Sequence, residues 1–361
     1  MNLTRPAARH WRCAPAPTAA TAFHRGLPGY RPTALIEIPD LARAHGVGRL
    51  FVKDESARLG LPAFKALCAF WAVHQVVLER TGTSAPADLD RLRALAASVP
   101  GLRLVAATDG NHGRAVARIA RLLGLAAEIH LPALVDARSI EAVRGEGARV
   151  VVVDADYDAT VASAVVVAEA DPGAALVQDT ALPGYVAVPA AIVDGYATLF
   201  REIDAQLVAA GVPRADAVAV PMGVGSLAQS AVVHYRGGEA PAGTSLIGVE
   251  PESAACVLAS LRAGRPVTVP TGTTSMDGLN CGTPSALAWP FLRDGLDVAV
   301  AVTEREAARA ARDLAAHGVA SGPCGAAGLA GLRAVTGIGT DAVVVVVVLS
   351  TEGPRPRSPE T

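Results

Sequence analysis

The sequence predicts an α/β protein made of two open domains with largely parallel sheets. The chain has 361 residues, a length that suggests two domains or one large α/β domain. Short β-branched runs bounded by Gly, Pro or Asp alternate with helical segments along the chain, as in proteins built from parallel sheets. The run AVVVVVVL at 342–349 is apolar on both faces, which is typical of a parallel strand covered by helices on both sides.

The individual elements follow from these runs. The predicted strands are short apolar segments that end at turn residues, and they span Leu50–Lys53, Leu102–Ala107, Ala126–His130, Ala148–Val153, Ala175–Gln178, Ala217–Pro221, Ser245–Glu250, Val298–Val302 and Ala342–Leu349. The predicted helices lie between or after them and span Ala63–Arg80, Gly113–Leu123, Ser139–Gly145, Tyr157–Ala170, Val186–Ala210, Ser226–Tyr235, Glu252–Ala263, Thr303–His317 and Gly325–Val335.

Two turn-rich stretches, Thr81–Asp88 and Pro183–Gly184, predict the boundaries of an inserted domain. We therefore expect a smaller α/β domain over residues 83–185, inserted into a larger domain formed by residues 1–82 and 186–361.

Composition excludes several classes of protein. A formal net charge of −2 argues against nucleic acid as a partner, and a hydrophobic fraction of 51% argues against disorder. The absence of a stretch of about 18 apolar residues predicts no membrane span, and Met1–Phe23 lacks the apolar segment of a secretory signal. Five cysteines without CxxC spacing favour reduced thiols over disulfides or a zinc site. We expect a soluble, cytoplasmic enzyme.

Lysine usage is the sharpest compositional feature. Of the 32 basic residues only Lys53 and Lys65 are lysines, and arginine cannot replace an amine that must lose its proton. Lys65 lies in the first turn of a predicted helix, next to apolar Phe64 and Leu67. The positive helix end and the apolar neighbours predict a lowered pKa for its amine, which suits a Schiff-base nucleophile. The alternative is a solvated helix lysine.

Three loops carry further polar groups. The segment AATDGNHGR at 106–114 joins a strand to a helix. It places the Asp109 carboxylate and Asn111 at the carboxyl end of the sheet, where they could contact a ligand. An Asx turn with helix capping explains the same residues. Ser350 and Thr351 follow the long apolar strand, where a hydroxyl can hydrogen-bond a heterocyclic nitrogen or simply form a turn.

The third loop, MGVGSLAQ at 222–229, precedes a helix, and its glycines allow backbone amides to approach a phosphate. Gly223, Gly225 and Ala228 also match GxGxxA, with Glu250 placed like the acidic residue of an NAD fingerprint. An NAD site and a monophosphate site therefore stay open. A reactive lysine, an Asn-containing loop, a phosphate loop and a strand-end hydroxyl together suggest pyridoxal 5′-phosphate (PLP).

These residues carry a family resemblance. KDESARLGLPAFKAL, ATDGNHGRAVA, QDTALPGY, GVGS, GVEPESA, MDGLNCGTPSALAW and LSTEG occur in that order between Tyr30 and Gly353 and resemble the diaminopropionate ammonia-lyases. The resemblance implies a fold-type-II PLP enzyme, similar to the tryptophan synthase β chain, with its active site in the cleft between two domains. It also implies a homodimer that eliminates ammonia from D- or L-2,3-diaminopropionate, or a close β-substituted amino acid, to give pyruvate and ammonia.

The resemblance further implies roles for the residues at matching positions. Lys65 would form the Schiff base with PLP and remove the Cα proton of an L-substrate, and Asp109 would be the base on the opposite face. The remaining implied contacts are with the cofactor, through Asn111, Gly223, Val224, Gly225, Ser226, Ser350 and Thr351, and with the substrate, through Asp179, Thr108 and Ser56.

Two departures keep alternatives open. Leu182–Pro183 stands where the family has Trp-Glu, and Pro323–Cys324 stands where it has Glu-Ser. A same-fold dehydratase for serine or threonine, or a β-replacing synthase, is one alternative. An NAD-binding protein without lysine chemistry, or a catalytically inactive binding protein, is the other.

Overall fold

The computed structural model describes residues 1–108, 110–238, 243–335 and 344–354 and divides the chain into two compact units. The larger unit is formed by Met1–Ala16, Pro32–Phe64 and Leu199–Thr361, and the smaller unit by Pro17–Arg31 and Lys65–Thr198. The domain boundaries at residues 83 and 185 stay a prediction.

The larger unit contains, among the described residues, a seven-stranded mixed sheet in the order β1-β10-β9-β8-β11-β3-β2. Its strands are β1 (Asn2–Thr4), β2 (Leu35–Glu37), β3 (Arg49–Asp54), β8 (Ala217–Pro221), β9 (Ser245–Pro251), β10 (Val298–Val302) and β11 (Val345–Ser350). The five inner strands are parallel, and the edge strands β1 and β2 run antiparallel to their neighbours. All six residues of β11 are buried, as expected of a central strand covered on both faces.

The helices of this unit cover the sheet. They are α2 (Pro39–His45), the C-terminal part of α8 (Ala187–Ala209), α9 (Ser226–Arg236), α10 (Cys256–Ala263), α11 (Trp289–Gly295), α12 (Glu304–Ala316) and α13 (Pro323–Ala334). Alanine and glycine dominate α13, and these small residues let it pack directly on β8, β9 and β11 as part of the apolar core.

The smaller unit has a four-stranded parallel sheet in the order β6-β5-β4-β7. The strands are β4 (Arg103–Ala107), β5 (Ala126–Pro132), β6 (Arg149–Val153) and β7 (Ala174–Leu176). The helices are α1 (Ala19–Arg25), α3 (Lys65–Arg80), α4 (Leu89–Ala97), α5 (Asn111–Leu123), α6 (Ala137–Arg144) and α7 (Tyr157–Ala170), together with the start of α8. The connections between successive parallel strands carry α5, α6 and α7, which is the βαβ pattern that the sequence predicts.

The predicted α/β class with largely parallel sheets is confirmed, and each predicted strand and helix overlaps an observed one. The first two residues of the predicted strand Ala342–Leu349 lie outside the described residues. One helix prediction was wrong in its start: Glu252–Ala254 forms a 3-10 turn, and α10 begins only at Cys256. In the described part of the chain, no helix combines the length and the apolar character needed to cross a bilayer.

Candidate active site

The larger unit collects several predicted site residues at one edge of its sheet. Strand β11 lies between β8 and β3 and is parallel to both, so the carboxyl ends of the three strands meet at the same edge. Ser350–Thr351, Gly223–Ser226 and Ser56 come at or just after the ends of these strands. This edge is where ligands bind in open α/β sheets.

The loop after β8 has the features of a phosphate site. Gly225 has φ of +99°, which disfavours any residue with a side chain, and an added Cβ would lie only 2.6 Å from Leu292 Cδ1. Helix α9 follows directly at Ser226, and its N-cap residue Gly225 has no side chain of its own that could cap it. The amides of this turn and the positive end of the helix therefore suit an anion.

The residues at the end of β11 have defined partners in the larger unit. Ser350 Oγ donates a hydrogen bond to Ser321 Oγ at 2.8 Å, and both side chains are buried. The backbone N–H of Phe64 donates to the Thr351 carbonyl at 3.1 Å, and that of Gly353 donates to Pro62 at 2.8 Å. The chain that leads into Lys65 is thus held against the chain that leaves β11.

Ser56 lies in the turn after β3, where its N–H donates to Asp54 Oδ1 at 3.0 Å. Gly353 packs against it, since a Cβ added at Gly353 would lie 3.3 Å from Ser56 Cβ. The predicted substrate-binding residue Ser56 is therefore at the same sheet edge as the strand-end hydroxyls.

The two lysines have different environments. Lys53 is fully buried in β3, and its amine donates to Glu202 Oε2 at 2.7 Å, to the Thr33 carbonyl at 2.8 Å and to Gln206 Oε1 at 2.8 Å. All three ammonium protons are used, so Lys53 has a structural role in the larger unit.

Lys65 is the first residue of α3, in the smaller unit, and its amine donates to Asp179 Oδ2 at 2.9 Å. The two side chains are 21% and 10% exposed. Burial by itself would lower the pKa of the Lys65 amine, but Asp179, with smaller contributions from Tyr196 and Cys68, holds that pKa well above its ordinary value. The predicted lowering of the lysine pKa was wrong, because a carboxylate opposes both the helix end and the apolar neighbours.

Asp179 is ionised at neutral pH. Its burial would raise the pKa of the carboxyl group, but the positive charge of Lys65 and the neighbouring His112 lower it to about 2. The His112 ring is fixed by a hydrogen bond from Nε2 to the Val177 carbonyl at 2.7 Å. The smaller unit therefore holds a lysine–carboxylate ion pair at the start of a helix.

The loop after β4 lies next to that after β7, because the two strands are parallel neighbours. Thr108 is buried and its Oγ1 accepts the N–H of Gly110 at 2.9 Å, while Asn111 begins α5. Asp109 lies outside the described residues, so its place in the site stays a prediction.

Sequence reasoning missed three neighbours of the ion pair. Cys68 lies one turn after Lys65 and donates to its carbonyl, and Tyr196 of α8 lies beside the Cys68 thiol. Gln178 donates to Asp179 Oδ1 at 3.3 Å. Only Gln178 had a sequence signal, since it follows a strand and directly precedes a predicted site carboxylate.

Glu250, the acidic residue of the possible NAD fingerprint, has another role. It is fully buried, and its carboxylate accepts the N–H of Val257 at 2.7 Å and that of Leu258 at 2.8 Å. Burial raises its pKa to about 7. These two bonds satisfy the amides at the start of α10 and explain why that helix begins at Cys256 rather than at Glu252.

Comparison with known proteins decides between the cofactors. The model of the family described as "Pyridoxal-phosphate dependent enzyme" matches residues 27–350. The chain belongs to this family. The PLP-dependent enzyme is 36% identical over 355 residues to the diaminopropionate ammonia-lyase of Escherichia coli K12, an alignment that covers 92% of this chain and 87% of the relative.

Solved structures of a diaminopropionate ammonia-lyase are similar to this PLP-dependent enzyme over nearly the whole chain. The E. coli diaminopropionate ammonia-lyase in complex with D-serine has a TM-score of 0.88 at 33% identity, with 98% of this chain and 93% of that one covered. A structure of that enzyme with an aminoacrylate-PLP azomethine reaction intermediate has a TM-score of 0.85 at 32% identity, with the same coverage of both chains. The predicted cofactor and the fold-type-II class are confirmed, and the NAD alternative was wrong.

The residues present fit PLP. Gly225 has no side chain to obstruct a phosphate at the start of α9, and the amine of Lys65 is a carbonyl-reactive group once it loses its proton. Uncharged Ser350 and Thr351 at the end of β11 suit a heterocyclic nitrogen.

Proposed function

We propose that this PLP-dependent enzyme is an ammonia-lyase that eliminates ammonia from 2,3-diaminopropionate, with pyruvate and a second ammonia as products. The observation that carries the proposal is the similarity to diaminopropionate ammonia-lyases, which covers 92% of the chain and therefore residues of both units. The structure of that relative with an aminoacrylate species agrees with an α,β-elimination.

Four groups of residues would hold the cofactor under this proposal. The amine of Lys65 would hold its aldehyde carbon, and the amides of Gly223–Ser226 its phosphate. Asn111 would bind the 3′-oxygen, and Ser350 or Thr351 would face the pyridine nitrogen. When bound, the cofactor supplies a conjugated system that stabilises negative charge at the substrate Cα.

When a substrate amine replaces Lys65 on the cofactor, the released Lys65 amine would be the base, and its contact with Asp179 would govern whether it is protonated. Asp179 would bind the ammonium group of the substrate, which competes with Lys65 for the same carboxylate. Once the substrate ammonium is bound to Asp179, Lys65 would lose its counter-charge, and burial would favour its neutral amine. Lys65 would then accept the Cα proton of an L-substrate, and Asp109 that of a D-substrate.

Thr108 and Ser56 would complete the substrate contacts. The β-amino group must leave as neutral ammonia, so it has to be protonated when the Cβ–N bond breaks and the nitrogen keeps the bonding electrons. An ionised carboxylate such as Asp179 favours a doubly charged diamine over serine or threonine, which have only one ammonium group.

We also infer that the enzyme is a cytoplasmic homodimer. The resemblance to the ammonia-lyases supports the dimer, and the odd number of cysteines without paired spacing supports a reducing compartment. Sedimentation equilibrium of the purified chain tests the dimer.

The test of the proposed function is the release of pyruvate and ammonia from a panel of D- and L-amino acids. We expect turnover of 2,3-diaminopropionate to exceed that of serine and threonine, with two ammonia molecules per pyruvate. The Lys65→Ala variant is the control for activity that does not depend on the site. Faster turnover of serine to pyruvate, or of threonine to 2-oxobutyrate, with one ammonia per 2-oxo acid, would make the enzyme a dehydratase.

A further inference from the structure

Gln178 connects the carboxylate of the ion pair to the neighbouring strand. Its side chain is fully buried in the smaller unit and is hydrogen-bonded at both ends. Oε1 accepts the backbone N–H of Ala107 at 3.0 Å, and Nε2 donates to Tyr157 Oη at 2.9 Å and to Asp179 Oδ1 at 3.3 Å.

The orientation of this amide is determined by its partners. A backbone N–H can only donate, so the oxygen of the amide must face Ala107 and its NH₂ group must face Asp179. The main chain is fixed as well, because the N–H of Gln178 donates to Tyr185 Oη at 2.8 Å and Tyr185 Oη donates to the Leu176 carbonyl at 2.9 Å.

Asp179 is therefore held by two donors on different oxygens. Gln178 contacts Oδ1, and Lys65 contacts Oδ2 at 2.9 Å. A carboxylate restrained on Oδ1 keeps Oδ2 directed at whichever ammonium group is present.

We propose that Gln178 is a positioning residue for the reaction: its amide orients the Asp179 carboxylate toward Lys65 and, in turn, toward the ammonium group of the substrate. The second half of this statement rests on the proposed function, and the first half does not. The contact with Ala107 also ties the carboxylate to the end of β4, just before Thr108.

The informative variant is Gln178→Glu. It keeps the shape of the side chain and the acceptor for Ala107, and it replaces the NH₂ group, which donates to Asp179 and to Tyr157 Oη, with an oxygen. If Gln178 has a purely structural role, the Lys65 titration of the variant should be the same as that of the wild type. A positioning role predicts a strong effect on the Lys65 titration, because two carboxylates in contact cannot both ionise easily. The titratable groups that face Asp179 are Lys65, His112, Cys68, Tyr185 and Tyr196.

The readout exploits the presence of only two lysines. Full-length chain labelled with ¹³Cε-lysine and prepared without PLP gives two lysine signals, and Lys65→Ala assigns them. In the wild type we expect no step in the Lys65 signal between pH 4 and 7, because the pKa of Asp179 is about 2. In Gln178→Glu we expect a step in this range. A flat signal would overturn the proposal.

The matched control is Gln75→Glu. Gln75 is a partly buried glutamine of the same unit whose Nε2 contacts His74 rather than Asp179. It introduces the same charge, and we expect its Lys65 signal to stay flat between pH 4 and 7. A step in this variant would mean that a carboxylate elsewhere in the unit changes the Lys65 signal without contacting Asp179, which would overturn the proposal.

A second variant covers the case in which Gln178→Glu does not fold. Gln178→Met removes the donor without adding charge, and we expect kcat/KM to fall about tenfold in the wild type but not in an Asp179→Asn background. Equal losses in both backgrounds would show that Gln178 does not act through Asp179. If the wild type releases no pyruvate from any amino acid, the proposed function fails while the lysine titration still decides the role of Gln178.

Discussion

Asp179→Asn is the substitution that changes the candidate site most directly, because it removes the counter-charge of Lys65 and keeps the shape of the side chain. At 2.9 Å, and with an effective dielectric constant of about 20, the two charges attract each other by about 6 kcal/mol. Their burial offsets much of this attraction, but loss of one partner from a buried pair typically costs about 3–5 kcal/mol. Lys65 can avoid part of this cost by losing its proton.

The expected result is a lower pKa of Lys65 in the variant. In the wild type Asp179 outweighs burial, whereas in the variant burial stands against only the weaker effects of Tyr196 and Cys68. The pKa of Asp179 is depressed to about 2, so its stabilising contribution is present above the unfolded value of about 3.9 and is lost as the pH falls toward 2. The variant should therefore differ most from the wild type at neutral pH.

Two measurements check this result: the ¹³Cε-lysine titration of Lys65 and the free energy of unfolding from urea denaturation at several pH values. The control is Asp171→Asn, which removes an exposed carboxylate paired with Arg103 in the same unit and should leave the Lys65 signal unchanged. The reasoning is refuted if the Lys65 pKa is the same in Asp179→Asn and in the wild type.

Three further predictions concern the glycine loop, the buried ion pairs of the larger unit and the second base. Gly225→Ala should lower the free energy of unfolding by about 2–5 kcal/mol, because positive φ costs about 1–2 kcal/mol and overpacking against Leu292 about 1–3 kcal/mol, and it should weaken PLP binding in an absorbance titration. Glu202→Gln breaks the buried pairs with Arg58 and Lys53 and should cost about 3–5 kcal/mol in urea denaturation at pH 7. Asp109→Asn should abolish turnover of D-diaminopropionate and leave part of the L-turnover in a pyruvate assay.

Each of these has a contradicting outcome. A Gly225→Ala enzyme with wild-type PLP affinity would remove this loop from the phosphate site. Burial alone would raise the pKa of Glu202, but Arg58 and Lys53 lower it to about 2, so the cost of Glu202→Gln should disappear as the pH falls from about 4.5 to 2. A cost independent of pH would contradict the ionic origin. Equal loss of both enantiomers in Asp109→Asn would contradict two bases on opposite faces.

Local patterns were sufficient to predict most of the fold. The strands Ala217–Pro221 and Val298–Val302 have the predicted bounds, because an unbroken apolar run bounded by polar and turn residues defines a buried parallel strand. The edge strands Asn2–Thr4 and Leu35–Glu37 were missed, since three residues are too few to show a periodicity.

The places of several candidate site residues in the fold were predictable from the sequence, but the electrostatics of Lys65 were not. Gly225 and the start of α9 follow from the glycine spacing, and Lys65 from its place at a helix start. The direction of the Lys65 pKa shift depends on Asp179, which lies 114 positions along the chain. Only the parallel pairing of β4 and β7 and the packing of α3 in the same unit bring these groups together, and no local pattern encodes that distance.

The central claim is that Lys65 is the amine that holds PLP, and borohydride reduction of the holoenzyme followed by peptide mass spectrometry tests it most directly. The chain has only one other lysine, Lys53, which is fully buried and paired with Glu202. We expect the pyridoxyl group on the peptide that contains Lys65 and none on the peptide that contains Lys53. An adduct on Lys53, or no adduct on folded enzyme supplied with PLP, would contradict the account.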